Sequence, residues 1–360
     1  MDTINVPQEP GNIEEEPIVG TATLTQLEMA ELEESKSISP FRAAVRRFMR
    51  DKRAVFCLAL VLFIVIGSFV FPPIYRHLGP TVVGGLTGTQ HVGPNTYHDP
   101  SSVDLSNSDG PSTFLPLGKN SLVHPLGTDA IGRDILARLM GSVNISIELA
   151  IMVEVFDIGL GLMLGTLAGW FGGGLGTVLD RFTDVVFAFP GLLLILLMGA
   201  SLGPLFDHWF HANPVFGRML LLTLAIGLLS WPLMMRYVRG QTLELKERQF
   251  VEAARTTGTS TFNTITKHIV PNLLPIVIVA STLNVLATII GEAGISLLGA
   301  GLQPPATSLG LMISDANSKI FSPTAWTEEL WPCLTLVIIV IAFSFMGDGV
   351  SDAFNPRKKD

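Results

Sequence analysis

Long uncharged stretches separated by short polar ones organise this chain. Apolar residues run almost unbroken through residues 54–71, 185–205, 219–235, 271–290 and 330–346. Each run approaches the ~20 residues that a helix needs to cross the hydrocarbon core of a bilayer. A sixth run, 145–171, is long enough but contains Glu148, Glu154 and Asp157. The pattern predicts an all-α integral membrane protein with six transmembrane helices. Between the fourth and fifth of these lies a polar loop, residues 249–258 (QFVEAARTTG). Glu252, Ala253 and Ala254 favour helix strongly, and Gly258 breaks it within about one turn. The product is a short helix with small residues on its surface, which another protein could approach closely. Helix resumes after 259–261 and runs through 267–271 into the next span.

Composition agrees with a membrane protein. Of 360 residues 48% are hydrophobic and only 15% charged, with a mean hydropathy of +0.48; a soluble domain carries clearly more charge. The net charge of −8 misleads if spread over the whole chain. Asp2, Glu9, Glu14, Glu15, Glu16, Glu28, Glu31, Glu33 and Glu34 crowd residues 1–35, where no Lys or Arg occurs. Residues 1–40 therefore read as a disordered acidic tail, and nothing there resembles a signal peptide. Cys57 and Cys333 lie inside predicted spans and read as packing residues.

Charge also predicts the orientation. Residues 41–53 place Phe41, Ala44, Val45, Phe48 and Met49 on one helical face, with Arg42, Arg46, Arg47 and Arg50 elsewhere. Such a basic amphipathic helix belongs in the cytoplasmic headgroup layer, feeding a first span at 54–71. Its adjacency to a span speaks against a nucleic-acid partner. The positive-inside rule then sets the N-terminus in the cytoplasm and residues 72–144 outside. It sets 172–184 inside, 206–218 outside, 236–267 inside, 291–329 outside, and the tail with Arg357, Lys358 and Lys359 inside. The polar loop thus faces the cytosol, where ATP is.

Further motifs flank the spans. Residues 124–138 read HPLGTDAIGRDILAR. Gly127 and Pro125 set a turn, Thr128 and Asp129 suit a helix cap, and Arg133 and Asp134 can pair. A metal or acid–base reading of Asp129, Asp134 and His124 uses the same residues, but caps and turns account for them. Gly161, Gly165 and Gly169 recur every four residues, so one face of that helix admits a close neighbour. Glu154 and Asp157, three apart, share a face from which Glu148 is well removed. Acids avoid lipid, so the pair is expected at a pathway, an interface or a buried hydrogen bond, as is Glu292 near the outer surface. Residues 72–120 form an extracytoplasmic loop rich in Gly, Pro, Ser, Thr and Asn. Its His77, His91, His98 and Asp99 read as scattered in solvent, not as a metal site. No P-loop motif occurs, since Gly118-Lys119-Asn120 lacks both the upstream glycine and the hydroxyl.

VEAARTTG at 251–258 followed by TKHIVPNLLP at 266–275 resembles the EAA loop of bacterial ABC importer permeases, in the form found in the peptide and nickel family. The 124–138 stretch resembles the signature of C-type subunits of dipeptide and oligopeptide permeases. The stretches 291–305 (GEAGISLLGAGLQPP) and 347–357 (GDGVSDAFNPR) resemble the re-entrant turn and the tail of the permease pattern. The resemblance implies a type I ABC importer permease fold, with a permease domain over 121–355 and a coupling loop over 240–270. It implies alternating access and a location in the bacterial inner membrane with both termini cytoplasmic. The implied partners are a homologous permease subunit, two ABC ATPase subunits, an extracytoplasmic binding protein and a peptide substrate. ATP and Mg would bind the ATPase subunits, leaving this chain without a cofactor or catalytic site. Glu252 would contact the ATPase, Ala253 and Ala254 would permit approach, and Gly258 would allow the bend. Nickel and glutathione importers of the same form are alternatives, as is an ion-coupled secondary transporter using Glu154 and Asp157.

Overall fold

A computed structural model of the chain describes residues 40–78, 125–129, 132–317 and 325–354. The acidic tail, most of the 72–120 loop with His91 and His98, His124, and the basic C-terminal residues lie outside the described residues. Every element among the described residues is helical apart from one isolated β-bridge between Thr128 and Asp134.

The basic helix and the first span are two elements. Helix α1, Pro40–Phe48, ends at a break, and α2, Lys52–Leu78, follows it. Asp51 starts α2 by accepting from the amides of Arg53 (2.9 Å) and Ala54 (3.3 Å), as N-terminal capping residues do. Helix α2 runs past its apolar run through Pro72 and Pro73. So the first turns of the expected loop are helical, and the Tyr75 hydroxyl donates to Asp134 at 3.0 Å.

Helix α3, Ile135–Phe171, is the central element, and it leaves Leu149, Ala150 and Val153 without solvent exposure. Its glycine stripe packs on α6, Pro214–Lys246. A Cβ on Gly165 would meet the Met235 carbonyl oxygen at 2.6 Å, and one on Gly169 would meet the Thr242 Cβ at 2.6 Å. The close neighbour predicted for the stripe is thus another helix of the same chain.

The third apolar run does not form one span. Residues 173–188 form an amphipathic helix, α4 (Gly173–Ala188), and the span is α5, Gly191–Trp209, after a break at Phe189–Pro190. Proline forces the preceding residue out of helical geometry, and Phe189 is extended with ψ 136°. The expected 172–184 loop is therefore helical. Ion pairs from Asp180 to Arg239 and from Asp184 to Arg236 tie α4 to α6. Helix α6 itself extends about three turns beyond residue 235.

Two short helices, α7 (Gln249–Thr256) and α8 (Thr261–Thr264), lead through a π-helical turn at Ile265–Ile269 into α9, Val270–Leu297. Pro271 has no N–H to offer the Lys267 carbonyl, which favours the wider turn there. Helices α10 (Leu309–Asn317) and α11 (Ala325–Phe354) complete the described chain. Among the described residues, five stretches are long and apolar enough to cross a membrane: Lys52–Tyr75, Gly191–Trp209, Pro214–Lys246, Thr261–Leu297 and Glu328–Phe354. The sixth expected span corresponds to α3, which differs from them in its acids and its burial. Cys57 is buried on α2 and Cys333 half-buried on α11, both as free thiols.

Candidate functional site

The short helix of the polar loop is attached by one face. Val251 on α7 is completely buried in a cluster with Leu245, Ile269, Leu273, Val238 and Trp170, which joins the helix to α6 and, by way of the π-helical turn, to α9. Ala254, one turn on, is buried as well, while Glu252 and Ala253 are exposed. Of the two alanines expected to admit a partner, only Ala253 faces outward. The Arg255 guanidinium lies over the Trp170 ring, 4.3 Å from its centre. Gly258 ends the helix with φ +79°, a left-handed conformation that suits glycine. The Thr259 amide then donates to the Ala254 carbonyl at 3.0 Å. Ser260 caps α8 by accepting from the Asn263 amide at 3.4 Å.

Sequence reasoning missed two aromatics, Phe250 in the first turn of α7 and Phe262 on α8. Phe250 is 41% exposed and Phe262 is 74% exposed. A phenyl ring left so open next to a short docking-sized helix suits an interface anchor. The signal lay in the polar stretch 259–264 (TSTFNT), where Phe262 is the lone apolar residue.

At the other end of α3 the signature turn forms a buried ionic knot. Asp129, 2% exposed, accepts from Arg133 Nε at 2.7 Å and from Arg138 at 2.8 Å. It also accepts from the Arg133 amide at 2.9 Å. Asp315 on α10 holds the same two guanidiniums at 3.2 and 2.8 Å. The expected Arg133–Asp134 pair is therefore replaced by Arg133–Asp129. The cap is not Thr128 or Asp129 but Asp134, which accepts from the Ala137 amide at 2.8 Å. Thr128 pairs with Asp134 through the backbone bridge. Asp315 was beyond reach of local spacing, since its partners stand about 180 positions away.

Two of the three acids in the 145–171 run are enclosed. Glu154 is 6% exposed and Asp157 fully buried. Both accept from the single Nδ2 of Asn284 on α9, each at 2.7 Å. Their remaining oxygens, Oε1 and Oδ1, are buried without a hydrogen-bond partner. Asn284, not the acids, reaches the groove between α6 and α9. There it lines two adjoining cavities of about 390 and 520 Å³, sharing Ser230 and Ala287 between them. Asn284 was legible as the amide in the middle of the 271–290 run, whose other amide, Asn272, stands at its start. Glu292 lies elsewhere, 1% exposed, accepting from Ser296 (2.7 Å) and Ser308 (2.6 Å). It fixes the turn between α9 and α10 and does not line the groove. Glu148 is exposed, apart from the pair as its position predicts.

An anchored, polar-faced short helix between two long apolar ones is the arrangement expected of a membrane subunit driven from outside itself. Residues 161–360 match the model of a family described as binding-protein-dependent transport system inner membrane component. The chain belongs to this family. Residues 39–83 of the permease match the N-terminal TM domain of oligopeptide transport permease C. The oligopeptide transport system permease protein OppC of Mycobacterium tuberculosis is 33% identical over 316 residues, 88% of this chain and 94% of that one. The dipeptide transport system permease protein DppC of Lactococcus lactis is 28% identical over 344 residues, 90% of this chain and 92% of that one. The glutathione transport system permease protein GsiD of Pectobacterium atrosepticum is 30% identical over 322 residues, 89% and 92% of the two chains. The expected type I importer permease fold and inner-membrane location hold for this chain, whose role is that of an ABC importer permease subunit.

Proposed function

We propose that this permease forms, with a homologous partner subunit, the translocation path for di- or oligopeptides delivered by an extracytoplasmic binding protein. Two ABC ATPase subunits bind and hydrolyse ATP with Mg, and α7 is where one of them docks. The observation that carries this reading is the mounting of α7. Val251 is locked into the cluster that joins α6 to α9, while Glu252 and Ala253 stand free with Phe250 and Phe262 beside them. A push on that surface reaches both long helices without passing through a flexible link. Arg236, Arg239, Lys246, Arg248, Arg255 and Lys267 at this end of the helices favour its cytoplasmic placement. The peptide substrate rests on similarity to OppC and DppC. Similarity to GsiD favours glutathione as a second reading.

The test pairs Glu252→Ala with Phe262→Ala in the assembled transporter. Uptake of a labelled tripeptide is expected to fall at least about tenfold, as loss of an interface anchor implies, with unchanged membrane insertion. Normal uptake in the double variant would sink the docking assignment. Competition among tripeptide, glutathione and nickel in the same assay separates the substrate readings.

A further inference from the structure

Helix α1 presents a surface that the permease role leaves unused. Its inner side is spoken for: Ala44 is 3% exposed and Phe48 is half-buried, and at the border of that side one edge of the Phe41 ring faces Phe354 at the end of α11, 6.3 Å between ring centres. Phe48 and Ala54 also close over Gly349, where a Cβ would collide with Ala54 at 2.2 Å and press on the Phe48 ring at 3.3 Å. The outer side is different. Phe41, Val45 and Met49 step along one strip and are 52%, 45% and 60% exposed. Arg42 and Arg46 run along the adjoining strip and are exposed. Arg47, also exposed, lies about 100° further round, opposite Val45 and Met49. The one face predicted from sequence is thus split into an inner packing side and an outer apolar strip bordered by guanidiniums.

An apolar strip edged by arginine fits the boundary between acyl chains and headgroups, where cationic side chains reach up to phosphate. The acids nearby face elsewhere. Asp51 caps α2 and pairs with Arg53, and Asp348 and Asp352 line a crevice with Arg53. We propose that α1 is an anionic-phospholipid binding element. Val45 and Met49 enter the acyl region, and Arg42 and Arg46 hold the phosphate-bearing headgroups of that leaflet. Because α1 is packed on the end of α11 and leads directly into α2, which packs on α11 in turn, the bound lipid pins the junction of α2 and α11 at the membrane surface.

Arg46 and Arg47 are neighbours of equal charge on different sides, so they make a matched test. The assembled transporter carrying the full chain is titrated with phosphatidylglycerol and with phosphatidylcholine, and bound lipid is counted by native mass spectrometry. Each arginine at an anionic surface contributes about a fivefold preference. Arg46→Gln is expected to lower the phosphatidylglycerol preference about fivefold, whereas Arg47→Gln leaves it within about twofold. Equal effects of the two variants, or no effect of either, would overturn the proposal. A spin label at Met49→Cys in nanodiscs of the assembled complex is expected to meet lipid-dissolved oxygen and not a water-soluble relaxer. A label shielded from both would mean that a protein subunit covers the strip, and a label open to the water-soluble relaxer would mean that nothing does; either result refutes lipid contact. Because lipid counting and label depth do not depend on uptake, their failure is distinguishable from failure of the transport reading.

Discussion

Replacing Asp129 by alanine removes the carboxylate on which two arginines converge. Arg138 is 3% exposed, and after the change its guanidinium keeps only Asp315, which is itself 30% exposed. The backbone also loses an acceptor, because the Arg133 amide donates to Asp129. Breaking a buried ion pair by deleting one partner costs about 3–5 kcal/mol, since a buried charge is left uncompensated. The surviving Asp315 contact offsets part of this, so the lower end, about 3 kcal/mol, is expected. Asp315→Ala, by contrast, removes a water-screened carboxylate and leaves both arginines on Asp129, so about 1 kcal/mol is expected. At about 2–4 °C per kcal/mol for a chain of this order of size, Asp129→Ala lowers the thermal midpoint by about 6–12 °C. Fluorescence-detected size-exclusion of heated, detergent-solubilised protein reads this directly. A shift for Asp315→Ala equal to or larger than that for Asp129→Ala would refute the view that burial sets the ranking.

Two further substitutions probe packing. Gly165→Ala places a methyl against the Met235 carbonyl oxygen and Val238, backbone and branched side chain that yield little. Separating α3 from α6 there is expected to cost about 1–3 kcal/mol, read as loss of monodisperse protein on heating. Glu292→Ala strips the Ser296 and Ser308 hydroxyls of their shared acceptor. Two lost hydrogen bonds to a buried acid are expected to destabilise by about 3 kcal/mol or more, and protease susceptibility of the 298–308 turn is expected to rise. A protected turn in that variant would argue that Gly301 and Gly310 hold it unaided.

How much of this was legible depends on distance along the chain. The long apolar helices, the short helix ended by Gly258, and the close packing of Gly161, Gly165 and Gly169 all follow from local spacing. Helix α4 was missed because its Val185 and Phe187 merge with the apolar run of α5, and the polar side with Asp180 and Asp184 reads as loop. Only the ion pairs to Arg236 and Arg239, some 50 residues on, account for that side. Asp315 joining Arg133 and Arg138, and Asn284 bridging Glu154 and Asp157, are likewise products of tertiary folding. The sequence offers acids needing partners, and the fold decides which partners arrive. Glu292 shows the converse: an acid near a predicted outer surface that the fold encloses with two serines.

The π-helical turn at Ile265–Ile269 acts as a register joint. Along this connector the fully enclosed positions are Thr264, Ile269 and Leu273, with Val277 next at 4% exposure. The spacing is five, then four, then four. The turn therefore absorbs one residue beyond what an unbroken α-helix would carry, while Thr264 and Ile269 both keep facing inward. Tightening it to ordinary α geometry by loss of a single residue would leave the helices on either side in phase. The chain thus has, next to its exposed Glu252, a place where its length can change by one residue without rotating that surface away from whatever meets it.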